Sequence, residues 1–167
     1  MAIAYEGRVF SVDVETIHSP DGHAHVVETV RHRPSVVLLP MADDGRVVLV
    51  RQYRHSVGRY LWELPAGGLN EDESAESAAA RECEEETCFA PGRVERLRGL
   101  FPAPGFCDEE LVYFRLSDLR EAAPDSPHRP DDDEYIETRA FSVPETKAMV
   151  ERGEILDLKT AYGLTLI

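Results

Sequence analysis

Between Gly67 and Phe89 the sequence passes from a turn into a stretch that only a helix suits. Residues 66–72 contain Gly67, Gly68 and Asn70, which tolerate unusual backbone angles and mark a loop. Ser74 is a favourable N-cap and Glu76 complements the positive first turn. The run to Glu86 is rich in Ala, Glu and Arg without Gly or Pro, so a helix is predicted over Ala75–Thr87. Glu82, Glu85 and Glu86 then fall within about one turn and project from one side. On a solvated helix such neighbours repel by roughly 0.2–0.5 kcal/mol per pair. A divalent cation turns that repulsion into attraction, and an all-oxygen donor set selects Mg²⁺ or Mn²⁺. The plainer alternative is a solvated acidic face with Arg81 supporting Glu85 at i, i+4.

The flanking sequence reads as strands with a few later helices. Residues 7–16 and 25–31 are predicted strands around an Asp21-Gly22 turn, and residues 35–41 and 46–53 a hairpin closed by Asp44-Gly45. A short extended piece at 61–64 ends at Pro65. Strands resume at 93–101 and 111–116, separated by the turn-rich residues 102–105, and a polar loop covers 124–133. Residues 134–142 are again extended. Pro144 opens a helix through Arg152, Gly153 stops it, and a last helix is expected over 157–166. The expected architecture is α/β or α+β, a mixed sheet sandwiched between helices, in one domain spanning residues 1–167.

The charge balance narrows the partners. With 32 acids against 18 Lys and Arg, the net charge is -14, which argues against a nucleic-acid or anionic-membrane surface. An anionic substrate binds such a chain only where cations or metal reverse the field locally. Three cysteines outside any CxxC pair fit a reducing cytoplasm, and no apolar run is long enough to span a bilayer.

The spacing Gly67, five residues, Glu73, seven residues, then Arg81-Glu82-Cys83-Glu84-Glu85-Glu86-Thr87-Cys88-Phe89 resembles the Nudix box at every charged position. The resemblance implies a metal grip of Glu82, Glu85, Glu86 and the carbonyl of Ala66, with an Arg81–Glu73 ion pair and Gly67 supporting it. Two positions depart from the pattern. Cys83 replaces a bulky aliphatic residue, a mild change for a buried thiol. Cys88 replaces the final glycine, which costs roughly 1–2 kcal/mol if the chain is left-handed there; its side chain is expected to be buried and inert rather than reactive.

Residues 50–54 and 61–67 upstream, and 102–110 downstream, resemble the ADP-ribose pyrophosphatase branch of that family. This implies a homodimer, with N-terminal strands about 4–31 helping to complete the partner's site, and a nucleotide sugar as substrate. Arg51 and Arg54 are candidate diphosphate ligands. They point to opposite faces of their strand, and the likeness favours Arg54. Pro104, Gly105, Phe106 and Glu109 are further substrate-binding candidates, Phe106 lining a base or ribose pocket or else plugging the core. Glu85, Glu134, Glu137 and Arg81 are the candidate catalytic residues, with Glu134 or Glu137 placed where the branch brings a late-loop glutamate toward the attacking water. The rival readings are a Nudix enzyme for dinucleoside polyphosphates or flavin dinucleotide, and a catalytically silent nucleotide sensor. The intact glutamates favour the enzyme.

Overall fold

The computed structural model describes residues 2–128 and 136–167. Its first unit is an antiparallel sheet of β1 (Ala2–Glu6), β2 (Phe10–His18) and β3 (Ala24–His32), in the order β1-β2-β3. The turn joining β2 to β3 contains Gly22 at φ +86°.

β4 (Ser35–Pro40) and β5 (Val47–Arg54) follow, joined by the expected tight turn. Gly45 at φ +81° donates to the Ala42 carbonyl at 2.9 Å, and the Ala42 N–H donates to Arg46 at 2.8 Å. The two strands do not remain a hairpin, however: beyond one Met41–Val47 bridge they part into different sheets. β5 joins β6 (Arg59–Glu63) and β10 (Glu137–Phe141) in an antiparallel sheet ordered β10-β5-β6. β4 lies inside a mixed sheet ordered β7-β4-β9-β8, made with β7 (Ala66–Gly68), β8 (Phe89–Leu100) and β9 (Leu111–Glu121). Within it β4 runs parallel to β9 and antiparallel to β7. The predicted loop at 66–72 therefore begins as a three-residue strand, because pairing of Ala66 and Gly67 with Val37 and Val36 offers their backbone ladder partners.

β4 is buried along its whole length, as a strand covered on both faces must be. Val36 and Leu38 pack with Ala78, Ala79 and Cys83 of α1 (Ala75–Thr87), while Val37 and Leu39 belong to the opposite core with Leu49, Leu64, Tyr113, Phe141 and Met149. That second core is closed by α2 (Val143–Glu151) and α3 (Leu158–Gly163), which runs into a 3₁₀ turn at Leu164–Leu166. The result is a mixed α/β fold with helices on both sides of the central sheet. Among the described residues no helix is long and apolar enough to cross a membrane.

α1 occupies the predicted span, and the Ser74 side chain accepts the Ser77 N–H at 3.1 Å as its cap. At the other end Cys88 is left-handed (φ 60°, ψ 22°) and donates its N–H to Glu84 at 3.0 Å. Its thiol is exposed, contrary to the expectation of a buried one, because the left-handed turn directs it outward from the helix end. Cys88→Gly is accordingly expected to leave stability equal or to raise it by up to roughly 1–2 kcal/mol, read as the urea or thermal midpoint. A clear fall in either midpoint would mean that the thiol contributes packing that the backbone strain does not offset.

Candidate active site

Arg81 organises the acidic helix. Its Nε and Nη2 donate to the two oxygens of Glu73, each at 2.9 Å, and Nη2 also donates to the Gly68 carbonyl at 3.0 Å. Nη1 lies between Glu82 and Glu85, donating 2.7 Å bonds to both. The Arg81 and Glu73 side chains are each only 14% exposed, so their pairing is not a weak surface ion pair. The hydrogen bonds to Glu73, then those to Glu82 and Glu85, raise the Arg81 guanidinium above its ordinary value against the opposing effect of burial. The same pairing with Arg81 lowers the Glu73 carboxyl, which also accepts the Asn70 N–H at 2.9 Å. One cation thus binds the loop before α1 to two turns of α1.

Gly67 is required at its position by space rather than by backbone angle: a Cβ there would overlap the Glu82 carboxylate. Glu86 is buried at 8% exposure, and one of its oxygens accepts the Ala66 N–H at 3.1 Å. Thr138 of β10 donates its hydroxyl to the Glu86 backbone carbonyl at 3.2 Å. Burial pushes the Cys83 thiol beneath this helix up to about 12, so it is an inert core residue.

Alternation along β5 separates the two arginines. Thr138 and Glu63 lie directly across from Val50, which places Arg54, four residues on, on the sheet face that meets Glu86. Arg51 points the other way, donating to Glu137 at 3.2 Å and lying over the Tyr60 ring at 4.8 Å. Arg51, Tyr60, Ile136 and Glu137 line a pocket of about 310 Å³ there. The structure therefore gathers Ala66, Glu82, Glu85, Glu86 and Arg54 on one side and leaves Arg51 and Glu137 on the other. Glu134 lies outside the described residues.

Arg54 is held by Glu63, a residue for which no role was expected. Its Nε and Nη2 donate to both oxygens of Glu63, each at 2.8 Å, and Glu63 is only 1% exposed. Burial alone would raise the Glu63 carboxyl; the bonds from Arg54 and the charge of Lys159 outweigh it and bring the group below its ordinary value. Arg54 is raised in turn, first by Glu63. His128 stands 3.9 Å from Glu85, a second neighbour that no local pattern announced.

The loop after β8 is pinned to the N-terminal sheet. The Phe106 carbonyl accepts the Val30 N–H at 2.7 Å, while Asp108 accepts from the His32 N–H at 2.9 Å and from Arg31 at 3.1 Å. Phe106 is 61% exposed, so it does not plug the core. Glu109 is turned toward β4, accepting the Ser35 hydroxyl at 2.7 Å. Pro104 and Gly105 form the exposed turn between these contacts and carry no side chain that bonds a neighbour among the described residues.

A NUDIX domain model matches residues 31–158, which includes the acidic helix, the loop before it, Arg54 and Glu63. The chain belongs to the Nudix family. It is a Nudix hydrolase, and hydrolases of this family generally use divalent metal ions. It is 32% identical to an ADP-ribose pyrophosphatase of Bacillus subtilis (strain 168), over 96% of this chain and 85% of that one. To the ADP-ribose pyrophosphatase of Mycobacterium tuberculosis it is 34% identical, over 98% of this chain and 78% of the relative. The fold matches a crystal structure of an ADP compounds hydrolase with a TM-score of 0.85 at 22% identity, covering 99% of this chain and 88% of the other.

The donor chemistry of this Nudix helix fits a hard cation: three carboxylates and a nearby backbone carbonyl offer only oxygen. Among the described residues no three acidic, His or Cys side chains are already drawn together as a metal cluster. Arg81 instead supplies the positive charge between Glu82 and Glu85.

Proposed function

We propose that the protein is a Mg²⁺-dependent pyrophosphatase of ADP-ribose or a closely related nucleotide sugar, yielding a nucleoside monophosphate and a sugar phosphate. The observation that carries the reading is that Arg54 lies on the sheet face that meets Glu86 and feels its charge, so that a guanidinium and the acidic helix stand on the same side of the sheet. The likeness to two ADP-ribose pyrophosphatases over nearly the whole chain supports the substrate class. Glu82, Glu85, Glu86 and the Ala66 carbonyl would hold the metal, whose charge offsets that of the diphosphate and whose Lewis acidity polarises phosphorus. Arg54 would orient the diphosphate by charge-assisted hydrogen bonds. Arg81 would position Glu82 and Glu85 through its bonds to both. A glutamate, Glu85 or Glu134, would take the proton of the attacking water. The exposed turn from Pro104 to Phe106 would contact the base or sugar.

We extend the reading to a homodimer in a reducing compartment. Ile3, Tyr5, Ile17 and Val26 leave apolar surface on the N-terminal sheet, and all three cysteines are free thiols.

With Mg²⁺ the purified protein is expected to convert ADP-ribose to AMP and ribose 5-phosphate faster than it acts on nucleoside triphosphates. A diphosphate with a group on each side can occupy two flanking pockets at once, and those remote contacts position phosphorus. Hydrolysis in ¹⁸O water should label one product only. If flavin dinucleotide, a dinucleoside polyphosphate or a guanosine diphosphate sugar exceeded ADP-ribose tenfold in kcat/KM, about 1.4 kcal/mol, the substrate assignment would fall. Nucleotide binding without hydrolysis of any pyrophosphate would favour a silent sensor.

A further inference from the structure

The groups behind Arg54 form a chain of charges contributed by the end of β6 and the start of α3, both outside the acidic motif. Glu63 binds Arg54 with both oxygens and also receives the Lys159 ammonium. Lys159 reaches across to Asp157 at 2.9 Å. Asp157 caps α3, accepting the Thr160 N–H at 3.0 Å and the Thr160 hydroxyl at 2.6 Å. That hydroxyl in turn accepts the Leu64 N–H at 2.7 Å. The start of α3 therefore clamps the segment between Glu63 and Ala66, and Lys159 stands between two carboxylates, one of them almost completely buried.

The charges of Arg54, Glu63, Lys159 and Asp157 cancel. Removing Lys159 leaves a net negative set directly behind the guanidinium and frees one contact of Glu63. Arg54 would then face an approaching diphosphate with its positive charge more than neutralised by the carboxylates at its back. Attraction between charged groups depends on this local sum, and it depends strongly where burial limits screening.

We propose that Lys159 is a positioning residue for substrate binding: by neutralising buried Glu63 it keeps Arg54 available, in charge and in orientation, to the diphosphate. This rests on the reading of Arg54 as a diphosphate ligand. The lysine touches neither substrate nor metal, and its effect passes through Glu63.

The test is steady-state kinetics on ADP-ribose with saturating Mg²⁺ for Arg54→Ala, Lys159→Met, Lys159→Arg and the double variant Glu63→Gln with Lys159→Met. Lys159→Met is expected to raise KM about tenfold while kcat changes less than threefold, and Lys159→Arg to stay near the parent. The double variant again carries a neutral set of charges, so its KM is expected to return to within about threefold of the parent. A purely structural role for Lys159 predicts instead a lower thermal midpoint and a fall in kcat for Lys159→Met with KM near the parent, and no dependence of KM on the charge of the set. The double variant buries no unpaired carboxylate, so it decides the matter even where Lys159→Met alone does not fold. A double variant with KM still tenfold high, or Lys159→Met with parental KM, would overturn the proposal while a raised KM in Arg54→Ala left the diphosphate reading standing. A parental KM in Arg54→Ala would overturn that reading itself and the proposal with it.

Discussion

Glu86→Gln is expected to lower turnover on any pyrophosphate substrate by roughly 100-fold or more. The loss of an outer partner of a metal ligand typically costs about 10–100-fold, and loss of a ligand's charge should reach at least the upper end. The fold should survive, because a glutamine oxygen can still accept the Ala66 N–H that Glu86 accepts at 3.1 Å. The expected signature is a fall in kcat with a shift of the Mg²⁺ dependence to higher concentration, and circular dichroism and thermal midpoint close to the parent. Glu84→Gln serves as the control, since its place on α1 turns it away from the other glutamates and it should cost little. Parental activity in Glu86→Gln across a full metal titration would remove Glu86 from the site.

Arg81→Met is the change expected to cost most stability. It preserves much of the apolar stem and removes a guanidinium that is hydrogen-bonded to Glu73, Glu82 and Glu85 at once. Breaking a largely buried pair by deleting one partner costs about 3–5 kcal/mol. Glu85 is 25% exposed, so the lower end applies. At about 2–4 °C per kcal/mol for a domain of this size, the thermal midpoint should fall by roughly 6–12 °C. Mg²⁺ should restore part of that loss, and should stabilise the variant more than the parent, because the cation would take over neutralisation of Glu82 and Glu85. A variant as stable as the parent without metal would show that the Arg81 bonds merely replace equivalent bonds to water. One destabilised but indifferent to Mg²⁺ would separate Arg81's structural role from any metal site.

How far the sequence alone led depended on the range of the interaction in question. α1 was readable to the residue, since Ser74, the Ala and Glu run and the left-handed turn at Cys88 are all decided within a few positions. The opposed directions of Arg51 and Arg54 followed from strand period alone. The turn at Asp44-Gly45 was equally local, yet it did not determine strand partners: β4 pairs with β9, whose residues lie more than seventy positions later. The same distance concealed Glu63. A glutamate between Trp62 and Leu64 gives no sign that Lys159 will meet it, although a last helix was expected to begin at residue 157. The thiol of Cys88 was misjudged for a different reason, since a left-handed angle there was considered only for its backbone cost and not for the direction it gives the side chain.

The bond between the Leu64 N–H and the Thr160 hydroxyl closes a separation of 96 residues. During synthesis the acidic helix can pack once β9 has followed it, and the segment leading into Ala66 can pair with β4 and β5, but its contact with Thr160 must wait until α3 has been made. Gly163 deepens this dependence, for it lies so close to Leu64 that a Cβ would collide with that side chain. Contacts this distant in sequence form late, after the entropy of closing the intervening chain has been met. Catalytic competence should therefore appear as the final event of folding, with a nascent chain halted before residue 157 holding its central sheet and its acidic helix while remaining unable to act.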